Sequence, residues 1–248
     1  MTPVLITNPR SGTHYLKALI AESLHRRPVE REYATAWELN ATLSASHDGA
    51  LIYGHFPFRE FGSTLDAASQ SNLRLVLLTR HPIDRMISQL ALTRAQGGRL
   101  PDPTRSPQRL ARELLLGEWD GRPWADGFVV ADYAALHNFY LRQLHTDWLA
   151  SPSAIAVKFE DLIAAPQETL ARILAFLGAR VSPRRIRKVT GRITFQTLAN
   201  GRRPGEADPN SHYRKGQPGE WRQVFSAADI ERMRPKYAAA FHAAGYEL

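Results

Sequence analysis

The stretch that decides the fold is VLITNPRSGTHY, residues 4–15, close to the start of the chain. Its first four residues form a short apolar run, which predicts a buried strand. Apolar residues then recur at positions 16, 19, 20 and 24, and this spacing predicts a helix. A strand that turns directly into a helix is the first unit expected of an α/β fold.

Three more apolar runs predict buried strands at residues 50–53, 73–79 and 154–159. Helix-start signals lie between and after them, at Ser106-Pro107, at Pro166 and in the capping-box pattern of residues 226–229. Strands that alternate with helices predict a parallel sheet covered on both faces. We therefore expect a single domain over residues 1–248 with a three-layer α/β fold.

Two irregular stretches, around residues 97–105 and 200–219, interrupt this alternation and are rich in Gly, Pro and Arg. Long irregular segments inside a compact domain are commonly binding loops or lids. We expect both stretches to cover a binding site.

The composition is that of an ordinary folded chain, with 248 residues, 44% hydrophobic and 23% charged. The absence of cysteine excludes disulfides, thiolate metal sites and cysteine nucleophiles. Neither a signal peptide nor an apolar run of membrane-span length occurs, so we expect a cytoplasmic protein. The net charge of +8 favours anionic partners, without choosing among nucleotides, nucleic acid and acidic lipids.

The turn between the first strand and the first helix carries a phosphate-binding pattern. Free backbone N–H groups at a helix N-terminus bind anions, and Gly12 permits close approach of the backbone. Ser11, Thr13 and His14 add side-chain donors, while Arg10 adds a fixed charge. The nucleotide-triphosphatase pattern of two glycines followed by Lys and Ser/Thr is absent, which disfavours an ordinary kinase. A tight turn with a neighbouring basic residue is the alternative.

Two further segments carry basic residues in positions suited to phosphate. Arg80 directly follows the third strand, and Ser88 lies about two turns into the helix that comes next. Alternatively, Arg80 and Arg85 form a solvated surface group with Asp84. The other segment, YRKGQPGEWR at residues 213–222, combines adjacent cations with two glycines and a Trp.

These segments resemble, in the same order, the signatures of sulfotransferases that use 3′-phosphoadenosine 5′-phosphosulfate (PAPS). The resemblance implies a P-loop-like α/β fold and PAPS as sulfuryl donor. The sequence shows no clustered carboxylates that would suggest a required metal, so we expect none. It places Arg10 at the reacting phosphosulfate in the turn of residues 10–15, and Tyr15 against adenine. It assigns the 3′-phosphate to five residues: Arg80, Ser88, Arg214, Lys215 and Gly216.

The same resemblance assigns two more residues. Phe195 matches a family Phe that faces adenine, although it could equally belong to the core. His55 matches the family's general base, and Glu60 is a weaker candidate for that role. A physical argument agrees, because Arg10, His55 and Arg80 each follow a strand and should converge at the carboxyl edge of the sheet.

The sequence therefore predicts an enzyme that transfers a sulfuryl group from PAPS to a hydroxyl acceptor, with His55 and Arg10 as catalytic residues. The acceptor could be a small molecule, a lipid, a glycan or a peptide, and we expect no nucleic-acid partner. One alternative is a non-catalytic nucleotide or nucleic-acid binding protein, suggested by the net charge and the basic run at residues 184–188. Another is an atypical nucleotide kinase.

Overall fold

The computed structural model describes residues 2–29, 33, 35–44, 50–69, 73–97, 102, 104–118, 144–151 and 153–248. Its centre is a parallel sheet in the order β2-β3-β1-β4-β5. The strands are β1 (Thr2–Thr7), β2 (Arg27–Pro28), β3 (Ala50–Gly54), β4 (Leu73–Thr79) and β5 (Ala154–Lys158). The predicted parallel α/β sheet is confirmed, with two differences: β2 was not predicted, and Phe159 begins a helix instead of ending a strand.

Helices connect and flank these strands. They are α1 (Thr13–Leu24), α2 (Ala36–Ser44), α3 (Phe58–Ser69), α4 (Pro82–Ala95), α5 (Pro107–Leu116), α6 (Asp147–Leu149), α7 (Phe159–Ala164), α8 (Pro166–Phe176), α9 (Pro183–Arg192), α10 (Phe195–Leu198) and α11 (Ala227–Ala243). The Ser106 hydroxyl caps α5, and Ser226 with Asp229 forms the predicted capping box of α11. In the part of the chain that the structure describes, no helix is both long and apolar enough to cross a membrane.

Both faces of the central strands β1 and β4 are buried, as their apolar sequences predict. The edge strand β5 was also expected to be buried, but only Val157 is. Leu5 packs on one face in a cluster with α1, α8 and α9. Val4 and Ile6 pack on the other face with α3 and Trp148. A further apolar cluster joins α4, α5 and α11 around Trp221. Rigid layers on both sides therefore fix the carboxyl ends of the strands, where the chain leaves the sheet.

The two stretches expected to cover a site differ in how much of them is described. Residues 200–219 are irregular, and backbone hydrogen bonds fold them back on themselves, from Gly205 to Lys215 and from Asp208 to Arg214, each at 2.8 Å. In the other stretch, residues 98–101 and 103 lie outside the described residues.

Candidate active site

A cavity of about 750 Å³ lies where β1, β3, β4 and β5 end. Segments far apart in the sequence meet in its wall. The expected site residues that line it are Arg10, Gly12, Thr13, His14, Tyr15, His55, Arg80, Ser88, Phe195, Arg214, Lys215 and Gly216. Ser11 is buried beside them, and its hydroxyl has no hydrogen-bond partner among the described residues.

The turn between β1 and α1 has a backbone that only a few residues can adopt. Gly12 caps α1 with a φ of 94°, and Arg10 also has a positive φ, of 67°. A Cβ atom at position 12 would lie 2.6 Å from Cδ2 of Phe159. Position 12 therefore requires glycine, both for the positive φ and for the close approach of Phe159. In this turn conformation, the N-terminus of α1 is directed at the cavity.

Arg10 connects the turn to the helix that carries Ser88. Its Nε donates to Ser88 Oγ at 3.2 Å, and its Nη2 donates to the His212 carbonyl at 3.4 Å. Burial, together with the nearby charges of Arg80 and Arg214, lowers the pKa of Arg10 to about 10. Such crowding of cations suits a multiply charged anion, whose binding would relieve their repulsion.

Arg80 is buried beneath the turn and links it to the loop of residues 200–219. Its Nη1 donates to the Arg10 carbonyl at 3.1 Å, and its Nη2 donates to the Gln217 carbonyl at 3.4 Å. Its Nε has no hydrogen-bond partner among the described residues. Burial lowers the pKa of Arg80, with Asp84 opposing that effect. A buried guanidinium with an unsatisfied donor is suited to contact an anion.

Arg214 and Lys215 share one acidic partner, Glu220. Both terminal nitrogens of Arg214 contact the Glu220 carboxylate, and Lys215 Nζ lies 3.7 Å from its Oε1. Burial would raise the pKa of Glu220, but the contacts with Arg214, Gln108 and Lys215 together outweigh burial and lower the pKa. Nε of Arg214 is buried and has no partner among the residues described. Glu220 thus orients the two cations and leaves a donor unsatisfied.

Gly216 provides a flat wall for the half-buried ring of Phe195. Its φ is 63°, and a Cβ atom at this position would overlap the Phe195 ring. Phe195 belongs to none of the buried core clusters and lines the cavity. The structure therefore favours the binding interpretation of Phe195 over the core interpretation.

His55 follows β3 and is an exposed residue that lines the cavity. Its Nδ1 lies 2.8 Å from the carbonyl oxygen and 3.0 Å from the hydroxyl of Thr7. Because a carbonyl only accepts, Nδ1 carries the proton in the neutral ring and Nε2 carries the lone pair. Thr13 supports this arrangement by donating to the Thr7 hydroxyl at 3.0 Å. The ring is therefore held in the tautomer that a general base requires.

A comparison with protein families shows which family the chain belongs to. The sulfotransferase domain family matches residues 3–245 of the chain. The chain belongs to the sulfotransferase domain family. The predicted family and enzyme class are thereby confirmed.

Individual relatives of this sulfotransferase are distant. The curated cytosolic sulfotransferase 12 of Arabidopsis thaliana is 22% identical, over 99% of this chain and 78% of the relative. The crystal structure of mouse sulfotransferase SULT7A1 complexed with PAP has a TM-score of 0.65 and 18% identity, covering 97% and 83% of the two chains. Retinol dehydratase, solved with androsterone and PAP, has a TM-score of 0.59 and 16% identity, covering 97% and 80%. These structures show the shared fold.

Asp84 is a residue of the sulfotransferase site whose role the sequence did not reveal. Instead of forming a solvated surface group, it is fully buried. It accepts hydrogen bonds from the backbone N–H groups of Gly219, at 2.5 Å, and Trp221, at 2.9 Å. It also lies 3.9 Å from Arg80. Asp84 lies on α4, the helix after β4. It therefore anchors to this helix the loop that carries Arg214.

Two remaining expectations concern Glu60 as a weaker candidate for the general base and the lack of a metal site. Glu60 lies exposed in the first turn of α3 and is not among the residues that line the cavity. Within the described ranges, no group of three or more His, Asp or Glu side chains is arranged to hold a metal ion.

Proposed function

We propose that this sulfotransferase moves a sulfuryl group from PAPS to a hydroxyl acceptor, with His55 as general base. The observation that carries the proposal is that His55 shares one cavity with three converging arginines, Arg10, Arg80 and Arg214. Cations that cluster around a helix N-terminus bind phosphate, and a histidine facing them can take up a proton.

The described residues fit the donor. Arg80, Arg214, Ser88 and Lys215 all line the cavity and carry donors suited to the 3′-phosphate. The hydroxyl of Ser11 and the N-terminus of α1 are suited to the 5′ end. Tyr15 and Phe195 provide aromatic surfaces for adenine. Crystal structures of mouse SULT7A1 and retinol dehydratase contain PAP, which supports PAPS as the donor here.

PAPS supplies an activated sulfuryl group, so that a bond from sulfur to the acceptor oxygen forms as the bond to the 5′-phosphate oxygen breaks. His55 Nε2 takes the proton that the acceptor hydroxyl loses, which contributes roughly 10²- to 10⁴-fold to such reactions. Arg10 stabilises the negative charge that grows on the departing phosphate. Thr7 keeps the His55 proton on Nδ1 throughout.

The acceptor belongs to the class of small molecules, lipids or glycans that carry a hydroxyl. Retinol dehydratase was solved with androsterone, a small molecule, which supports this class. Nucleic acid is not among the partners that we propose. A cytoplasmic location also belongs to the proposal, supported by the name of the cytosolic relative from Arabidopsis thaliana.

Thermal unfolding in the presence of different nucleotides tests the proposal. Adenosine 3′,5′-bisphosphate should raise the melting temperature more than ATP or adenosine 5′-monophosphate, because the cavity has cations for a 3′-phosphate. Labelled PAPS with a panel of hydroxyl compounds should then give a sulfated product. A preference for ATP would support the kinase alternative and contradict the proposal.

A further inference from the structure

One segment, residues 180–205, carries the whole net charge of the protein. It contains eight Arg and Lys residues and no Asp or Glu, whereas the rest of the chain has 24 cations and 24 carboxylates. Six of the eight cations lie on α9 or just before it: Arg180, Arg184, Arg185, Arg187, Lys188 and Arg192. The proposed reaction uses none of these six side chains. The charge of +8 is therefore a local feature with a role still to be explained.

The helix α9 separates its apolar and basic side chains onto two faces. Ile186 and Val189 are buried in the cluster that packs on the sheet with α1 and α8. From position 184 to position 192, every exposed residue except Gly191 is a cation: Arg184, Arg187, Lys188 and Arg192. These positions recur at intervals of three and four residues, so they form one stripe about 12 Å long. We call this stripe the basic face.

Part of the positive charge of α9 is used in packing, and part is free. Arg185 donates to the carbonyl oxygens of Ser23, at 3.1 Å, and Glu22, at 2.7 Å, at the end of α1. Arg192 pairs with the Glu22 carboxylate. Three exposed side chains form neither a hydrogen bond nor an ion pair with the described residues: Arg184, Arg187 and Lys188. Their charges are available to a partner outside the protein.

We propose that the basic face docks the enzyme on a membrane that contains anionic lipids. A leaflet presents negative headgroups in a plane, and each Lys or Arg near it strengthens binding by about fivefold. A convex helix face has no pocket for a single small anion, but a plane of headgroups contacts several of its cations at once. Because the face exposes no apolar side chain, the contact is electrostatic and the helix does not insert into the bilayer.

Two further features favour a membrane over nucleic acid. The basic face lacks aromatic side chains, on which single strands stack, and amide side chains, which read base edges in a duplex. It also ends near the cavity, because Phe195, three residues after Arg192, lines the cavity wall. Three residues span at most about 11 Å, so a bilayer held by α9 lies close to a site whose proposed acceptors include lipids. Only this last argument rests on the proposed function.

Sedimentation with vesicles tests the docking without any assay of activity. The wild-type protein should bind vesicles of equimolar phosphatidylserine and phosphatidylcholine at low salt, and should bind pure phosphatidylcholine vesicles at least about tenfold more weakly. It should dissociate in about 1 M NaCl, where the screening length is about 3 Å. The triple variant Arg184→Gln, Arg187→Gln, Lys188→Gln should bind on the order of 100-fold more weakly, because three contributions of about fivefold are lost.

A matched control removes the same amount of charge from another helix. The triple variant Arg232→Gln, Arg234→Gln, Lys236→Gln changes three exposed cations of α11, which packs in a different apolar cluster from α9. It should keep its vesicle affinity within about threefold, because charges away from the contact are screened. Melting temperatures with and without adenosine 3′,5′-bisphosphate show that each variant folds and keeps its nucleotide site.

A second variant keeps the charge and changes its shape. Arg184→Lys with Arg187→Lys should bind the anionic vesicles as the wild type does, because a layer of headgroups requires positive charge and not the planar fork of a guanidinium. A large loss of binding in this variant would instead indicate recognition of individual phosphate groups, and would contradict docking on a membrane.

The inference would also be overturned by any of four other results. These are no binding of the wild type to the anionic vesicles, unchanged binding of the α9 triple variant, an equal loss in the α11 triple variant, and preference for a duplex oligonucleotide over the vesicles at equal phosphate concentration. Failure of the proposed function is a separate result, because the bisphosphate would then not stabilise the wild-type protein, whatever its binding to vesicles.

Discussion

Replacing Asp84 with Ala should detach the loop of residues 213–222 from α4. The buried carboxylate accepts the N–H groups of Gly219 and Trp221 and lies beside Arg80. Alanine leaves both N–H groups without an acceptor and leaves the buried Arg80 without this counter-charge. The loop carries Arg214, so its detachment should weaken nucleotide binding as well as folding.

The expected magnitude follows from the number of bonds lost. Hydrogen bonds to a charged group contribute about 1.5–3 kcal/mol each, so losing two costs about 3–6 kcal/mol of unfolding free energy. For a protein of this length, each kcal/mol corresponds to about 2–4 °C, which gives a melting temperature roughly 6–24 °C lower. Asp84→Asn keeps one carbonyl acceptor and should lose about half as much.

Circular dichroism melts and titration with adenosine 3′,5′-bisphosphate measure the two effects. We expect the affinity of Asp84→Ala for the nucleotide to fall at least tenfold at a temperature where the variant is folded, a loss of about 1.4 kcal/mol. Glu231→Ala is the control, because Glu231 forms an exposed ion pair with Arg234 on α11, and its nucleotide affinity should not change. Wild-type melting and affinity in Asp84→Ala would refute the anchoring role.

Further predictions concern the arginines of the site and one buried histidine. Arg10→Lys should keep donor binding but lower kcat, because a point charge replaces a planar fork at the leaving group; an effect only on the KM for the donor would make Arg10 a ground-state anchor. Arg80→Ala and Arg214→Ala should weaken adenosine 3′,5′-bisphosphate much more than the 5′-monophosphate in calorimetric titrations, and equal losses would contradict their placement. Burial lowers the pKa of His145 to about 4, so the unfolded chain binds a proton that the native state does not between about pH 6.5 and 4. The free energy of unfolding should therefore fall with decreasing pH across this window, by up to about 1.4 kcal/mol per pH unit from this group. Urea melts at a series of pH values should show that the unfolding free energy of His145→Phe depends less steeply on pH.

The sheet and the convergence of the motifs could be predicted because both depend on local patterns. An apolar run followed by helical spacing identified β1 and α1, and parallel strands bring their carboxyl ends to one edge. By contrast, β2 has two residues, too few to produce a pattern that can be distinguished from a loop.

The supporting residues of the site could not be predicted, because their partners are distant in the sequence. Asp84 follows a helix-start proline, where an acidic residue is ordinary, and its partners lie 135 and 137 residues further along the chain. Thr7 ends an apolar strand without any motif of its own, yet it selects the tautomer of His55. Such roles arise only when the fold brings separate segments together.

The central claim, that His55 serves as the base of a PAPS-dependent sulfotransferase, is tested most directly by measuring transfer from labelled PAPS alongside nucleotide affinity in His55→Ala. The account predicts that the wild-type protein sulfates a hydroxyl acceptor. It predicts that His55→Ala binds adenosine 3′,5′-bisphosphate with unchanged affinity while its kcat falls about 10²-fold or more. Turnover of His55→Ala near the wild-type rate at saturating acceptor would contradict the claim.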